Sequence, residues 1–158
     1  MGTNQRSQIA MSDAEIDEFL AGRHALSMAT IGPSGRIHLV AMWYGLLDGD
    51  VVIETKAKSQ KVLNLRRDPR LTVLVEDGDY YEELRGVELA GRAEIIEDRD
   101  ALFAIGVSVF ERYYAPFTDE TRPFIEAMLN KRVGIRLRAD EIVSWDHRKL
   151  GMASTRPA

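Results

Sequence analysis

From Arg36 onward the strands of this chain follow one another too closely for a doubly wound parallel sheet. An apolar run over Arg36–Leu47 reaches Asp48-Gly49, a hairpin signal, and a second strand occupies Asp50–Thr55. One short helix, Val62–Arg67, separates it from the strand Leu71–Glu76. Parallel neighbours need crossovers of a dozen residues or more. The tight joints here favour antiparallel pairing instead.

The rest of the chain fits that reading. Ser12-Asp13-Ala14-Glu15 has the form of a capping box and opens a helix whose Ile16, Phe19 and Leu20 share a face, with Gly22 at its end. Ala25–Ile31 is predicted as a strand and Gly32-Pro33-Ser34-Gly35 as a turn. Arg36–Leu47 is read as one long strand, with apolar residues on both faces. Val87–Ile96 is another strand, reached through Asp77-Gly78-Asp79 and the polar, aromatic segment Tyr80–Arg85. Helical spacing covers Glu97–Tyr114, Pro116 stops it, and a second helical piece covers Arg122–Asn130. Val133–Arg138 and Glu141–Trp145 are read as two final strands. Short antiparallel strands with small helices at the joints predict a mainly β fold, a closed or split barrel with helical additions. Residues 12–149 are expected to form one domain, with flexible tails at 1–11 and 150–158.

Composition narrows the partners. A chain of 158 residues with 45% hydrophobic and 29% charged residues supports one domain with a real core. Its net charge of −4 argues against a general nucleic-acid surface. The absence of cysteine removes disulfides, thiol catalysis and cysteine-based metal sites. No apolar run reaches membrane-spanning length, and Met1–Ala10 carry no signal-peptide core, so a cytoplasmic location is expected.

On this acidic background Lys56, Lys58 and Lys61 cluster with Ser59 and Gln60 where a strand hands over to a helix. A helix start offers unpaired N–H groups and a partial positive charge, so cations there oppose the local field. Either the run is an ordinary solvated helix start, with Ser59 a plain N-cap, or it holds a phosphate. Arg66 and Arg67 lie near a helix C-terminus, where cations need no ligand. His24, His38 and His147 are scattered without metal-ligand spacing, and no metal site is predicted. No nucleophile elbow, triphosphate loop or carboxylate pair stands out. Chemistry supplied by a cofactor is the remaining route.

These residues resemble a known family, the flavin-binding split β-barrels related to pyridoxamine 5′-phosphate oxidase. The likeness runs from Ser12 to about Lys149 and is sharpest at Glu54-Thr55, Ser59-Gln60-Lys61 and Asp68-Pro69-Arg70. In those oxidases a Ser-Arg-Lys binds the flavin phosphate; here Lys61 keeps the lysine and Gln60 replaces the arginine. The resemblance implies that the strand from His38 to Trp43 passes the flavin ring, with the Val40, Ala41, Met42 and Trp43 backbone holding it. It implies cofactor contacts for Thr55, and for Gly86, which stands where the oxidases have glutamine. It implies that Trp145 reaches the flavin of the partner subunit in a homodimer. His38 and Trp43 replace basic residues of the oxidases, and the oxidases' C-terminal substrate-binding arginine pattern is missing. Pyridoxamine phosphate oxidation is therefore not implied.

The 64–70 segment and the Trp145–Leu150 ending are more similar to the actinobacterial branch that uses coenzyme F420, a deazaflavin with an acidic tail that Lys56 and Lys58 suit. That likeness implies a reductase moving hydride between the deazaflavin and an unsaturated or conjugated organic substrate. A flavin mononucleotide (FMN) enzyme, a non-enzymatic flavin or deazaflavin carrier, and a haem-binding relative are the alternatives.

Overall fold

A computed structural model describes residues 4–157. Residues 1–3 and 158, the outermost parts of the two expected tails, lie outside the described residues. Two helices come first, α1 (Gln5–Ile9) and α2 (Asp13–Ala21). The first was not anticipated from the sequence. The second carries both capping-box hydrogen bonds: Ser12 N–H donates to Glu15 at 2.7 Å, and Glu15 N–H to Ser12 Oγ at 3.2 Å. Seven strands follow: β1 (Leu26–Ile31), β2 (Ile37–Met42), β3 (Gly45–Leu47), β4 (Asp50–Lys56), β5 (Arg70–Asp77), β6 (Arg85–Ile96) and β7 (Arg132–Asp146). Helix α3 (Gln60–Arg67) joins β4 to β5, and α4 (Arg99–Tyr113) with α5 (Arg122–Met128) joins β6 to β7.

All pairings are antiparallel, in the order β2-β1-β5-β6-β7-β4-β3. The two edges of this sheet, β2 and β3, are joined by Trp43 and Tyr44 alone. Six inter-strand spacings would hold those edges about 29 Å apart in a flat sheet. Three Cα steps from Met42 to Gly45 span at most about 11 Å. The sheet must therefore curl until its edges meet, which makes the split barrel a consequence of one short link. This corrects the reading of Arg36–Leu47 as one strand. The alternation is continuous, but the chain turns at Trp43-Tyr44 to cross from one edge to the other.

The final segment departs in the opposite sense. Val133–Arg138 and Glu141–Trp145 are one strand, β7, interrupted only by a bulge: Ala90 faces Glu141 while Gly91 faces Ala139. A Cβ at Gly91 would lie 2.0 Å from the Arg138 carbonyl oxygen, so only glycine lets the strands approach there. The Asp48-Gly49 hairpin forms as expected, with both residues at positive φ, 51° and 83°.

Inside the curl, Met28, Ile53, Val62, Leu71, Val73, Val75, Val87 and Ile135 form the main core with α2 and α3. Outside it, Val52 of β4 packs on Ile105, Val109 and Tyr113 of α4, and α5 packs through Ile125 and Leu129. Tyr44 is fully buried, and its hydroxyl donates to the Leu20 carbonyl at 2.7 Å. The two faces of β4 thus serve different layers. Ile53 and Thr55 are buried, whereas Val52 turns toward α4 and Glu54 borders a cavity on that side.

Candidate functional site: a cationic groove beside the sheet closure

Where the sheet closes, a cavity of about 490 Å³ opens between β2, β4 and the helical layer. Ala41, Met42 and Trp43 form one wall, and Val109, Tyr114 and Met128 another. Glu54 and Arg132 are its charged members. Trp43 is held flat on Tyr113, with ring centroids 4.3 Å apart and planes 10° from parallel, and Tyr114 meets it edge-on at 5.7 Å. A rigid aromatic edge therefore borders an apolar slot.

Met128 and Arg132 also line a second cavity, of about 830 Å³, whose other borders are Lys56, Ala57, Lys58, Ala127, Asn130 and Lys131. The two form one groove, apolar at Trp43 and cationic at the lysines. The sequence places these cations apart; the fold unites them. β4 pairs with the start of β7, Lys56 opposite Arg132, and Ala57 N–H donates to the Lys131 carbonyl at 3.0 Å. Lys131 takes a positive φ of 57° to make that turn. Lys61, in the first turn of α3, donates to Thr55 Oγ1 at 3.2 Å. Burial, and then the nearby Arg132, hold the Lys61 amine below its ordinary pKa. Arg132 pairs with Glu54 at 2.8 Å. Burial raises the pKa of Glu54, and Arg132 opposes that rise.

Ser59 occupies the N-cap position of α3, yet its side chain makes no capping bond. Its Oγ is buried and lacks a partner. His38 Nδ1 is buried and unpartnered as well. Opposite His38, Thr30 accepts from the fully buried Asn64 at 3.0 Å, and Asn64 Oδ1 accepts from Gln60 at 2.8 Å. Two orphaned polar atoms near a satisfied network suit a ligand with hydrogen-bonding oxygens.

The predicted site residues fall into three groups. Ala41, Met42, Trp43, Lys56 and Lys58 line the groove. Thr55, Ser59, Gln60 and Lys61 stand behind or beside its cationic end, and Val40 turns partly into the core. Gly86 and Trp145 lie elsewhere: they face each other across β6 and β7, and a Cβ on Gly86 would lie 2.2 Å from the indole. Val87 pairs with Val75, Val75 with Leu26, and Leu26 with Met42. Gly86, next to Val87, is thus one residue off the level of Met42 and three strand spacings from it along the sheet, about 14 Å. The sequence reading missed Glu54 as a cavity residue, and also Arg132, Lys131 and Met128. The basic pair Lys131-Arg132 at a helix-to-strand joint is the sequence signal that could have drawn attention to those two cations. Among the described residues no group of three His, Asp or Glu side chains is placed to hold a metal ion.

A conserved hypothetical protein from Mycobacterium tuberculosis, Rv2991, shares 54% identity over 99% of this chain and 98% of its own, with a TM-score of 0.94. A structure named F420 reductase shares 26% identity over 80% of this chain and 94% of its own, with a TM-score of 0.61. An FAD-binding protein from Mesorhizobium loti, 18% identical with a TM-score of 0.60, shares the fold. No curated protein matches the chain. The pyridoxamine 5′-phosphate oxidase family model matches residues 12–146, and with the curled seven-stranded sheet this places the chain in that family.

Proposed function

We propose that this protein is a coenzyme F420-dependent oxidoreductase whose reduced cofactor delivers hydride to an unsaturated or conjugated organic acceptor. One observation carries the reading: an apolar, aromatic-edged slot runs directly into a cluster of cations served by a single carboxylate, Glu54. A planar ring joined to an acidic tail has that same polarity. Lys56, Lys58, Ser59, Gln60 and Lys61 would hold phosphate and tail, and the Ala41–Trp43 edge would orient the ring. Ser59 Oγ and His38 Nδ1 are available to oxygens of the ligand. The bound coenzyme supplies the hydride; this chain supplies orientation, charge and exclusion of water.

A homodimer belongs to the same proposal. The outward face of β2 exposes Ile37, Leu39, Ala41 and Trp43 in a row, with Ile37 59% and Leu39 67% accessible. An apolar stripe on an edge strand is a surface that association would cover. A second copy could bring its Trp145 and Gly86 to the groove, which their distance within one protomer prevents. Leu39→Glu is expected to shift a dimer to monomer by light scattering, and a dimer unchanged by that substitution would remove β2 from the interface.

The cofactor is tested by following fluorescence as purified protein is titrated with F420 and, separately, with FMN. Saturable F420 binding at tighter affinity than FMN is expected. Tight FMN binding without F420 binding would make this a flavin enzyme of the same fold.

A further inference from the structure

The groove contains one carboxylate, and it stands between the two halves. Glu54 borders the apolar slot beside Ala41, Met42 and Trp43, its side chain 11% accessible, while its partner Arg132 also lines the cationic half. Arg132 therefore has two possible anions: Glu54, and whatever negative group enters among Lys56, Lys58 and Lys131.

We propose that Glu54 is the proton-holding group of this site, and that an anion docking at the cationic end loads it with a proton by drawing Arg132 away. The inference rests on the cofactor reading above and extends it to the second half of the reaction. Reducing a conjugated double bond adds a hydride and a proton. The hydride electrons come with the bound coenzyme, which is oxidised. The proton passes from Glu54 Oε to the acceptor atom next to the one that received hydride, and the resulting carboxylate regains a proton from water.

The surroundings favour this assignment. Glu54 pairs along the backbone with Gly134 of β7 and brings no second acid to the slot. Among the described residues lining the slot, the titratable and charged groups are Glu54, Arg132 of β7 and Tyr114, which follows α4. β2 contributes Ala41, Met42 and Trp43, and α5 contributes Met128, none of them titratable. Lys61 of α3 acts from behind through its proximity to Arg132. Burial raises the Glu54 pKa even with Arg132 in place to oppose the rise; with Arg132 engaged elsewhere, burial acts unopposed and favours the neutral acid further. An ionised Glu54 would also repel an anionic tail, so protonation and docking reinforce each other.

The test is calorimetric titration of the full-length protein with F420, and with FMN as a second titrant, in two buffers of different protonation enthalpy between about pH 5.5 and 7. A phosphate entering a cationic site loses protons rather than gaining them, so net uptake belongs to the protein. Uptake approaching about one proton per site is expected for wild type. Glu54→Gln should bind no more weakly, because its Arg132 is already released, and should lose that uptake. Binding without buffer dependence in wild type, or uptake retained in Glu54→Gln, overturns the proposal while leaving the cofactor reading intact. Binding of neither cofactor overturns both. If Glu54→Gln does not fold, carbon-13 titration of the wild-type Glu54 carboxyl decides: a higher pKa with cofactor than without supports the proposal, and an equal or lower one refutes it.

Discussion

Two charged clusters of the molecule are balanced differently. Around a depression of about 410 Å³ between α2, β6 and the end of β7, Arg85, Arg148 and the neighbouring Lys149 each have their own acid. Arg85 pairs with Asp77, Arg148 with Asp146 and Lys149 with Glu15, each at 2.6 Å. Arg85 also lies over the Phe19 ring at 5.1 Å. In the groove beside the sheet closure, Arg132 takes the single carboxylate, and among the described residues Lys56, Lys58 and Lys131, with Lys61 beside them, form no ion pair. A self-neutralised cluster is internal scaffolding. A cluster with surplus charge, partly desolvated, carries a cost that an external anion relieves.

The strongest way to break this comparison is to remove the half-buried member of the surplus. Lys61→Ala should weaken the bound cofactor by about 1.5–3 kcal/mol, since a charge-assisted contact to phosphate is lost. Fold stability should change little, because the amine's only hydrogen bond among the described residues is to Thr55. A dissociation constant equal to wild type, measured by fluorescence titration, would show that Lys61 is not at the site.

The balanced cluster should fail in the other way. Asp146 accepts three bonds from Arg148, from its backbone N–H, Nε and a terminal nitrogen, at 3.0, 2.9 and 2.6 Å. Asp146→Asn should lower stability by about 1–2 kcal/mol, without the affinity loss of Lys61→Ala. The Arg148 guanidinium holds the Asp146 carboxyl below its usual range. A depressed carboxylate pKa stabilises the fold above the unfolded value of about 3.9, and that contribution is lost as pH falls through the folded pKa. The melting temperature of Asp146→Asn should therefore fall less steeply than wild type below about pH 4. Parallel profiles would show that the pair contributes nothing specific.

That the surplus matters was only half legible in the sequence. Lys56, Lys58 and Lys61 could be read directly, because local order alone puts them at one strand-to-helix joint. Lys131 and Arg132 join them through pairing of β4 with β7, some 76 positions later in the chain at Lys56 and Arg132, and nothing local reports that. Strand and helix positions followed from alternation, the Ser12 cap and the Asp48-Gly49 turn, since each is decided by neighbours in sequence. The break at Trp43-Tyr44 did not, because those residues are good strand formers and only closure of the sheet requires the chain to turn there. Asp140 misled in the reverse direction: a polar residue at a bulge looks like the end of a strand. Ser59 shows the limit of reading a cap from residue type. It stands at the N-cap with a hydroxyl that caps nothing, and only packing reveals that the atom is free for something else.

The finest test of the contrast uses an exposed cation of the same groove. Lys58 lies at the cationic end, but its side chain reaches solvent. Solvent and salt screen such a charge, so Lys58→Ala should weaken F420 by only about 0.5 kcal/mol at low salt, and less as the ionic strength rises past the point where the Debye length is about 10 Å. Lys61, half buried, should keep most of its effect under the same salt. The two variants titrated side by side across a salt series therefore separate a charge that steers the acidic tail from one that grips the phosphate. Equal losses at every salt concentration would mean that Lys58 is desolvated on binding, and that the tail closes over it instead of lying in the open groove.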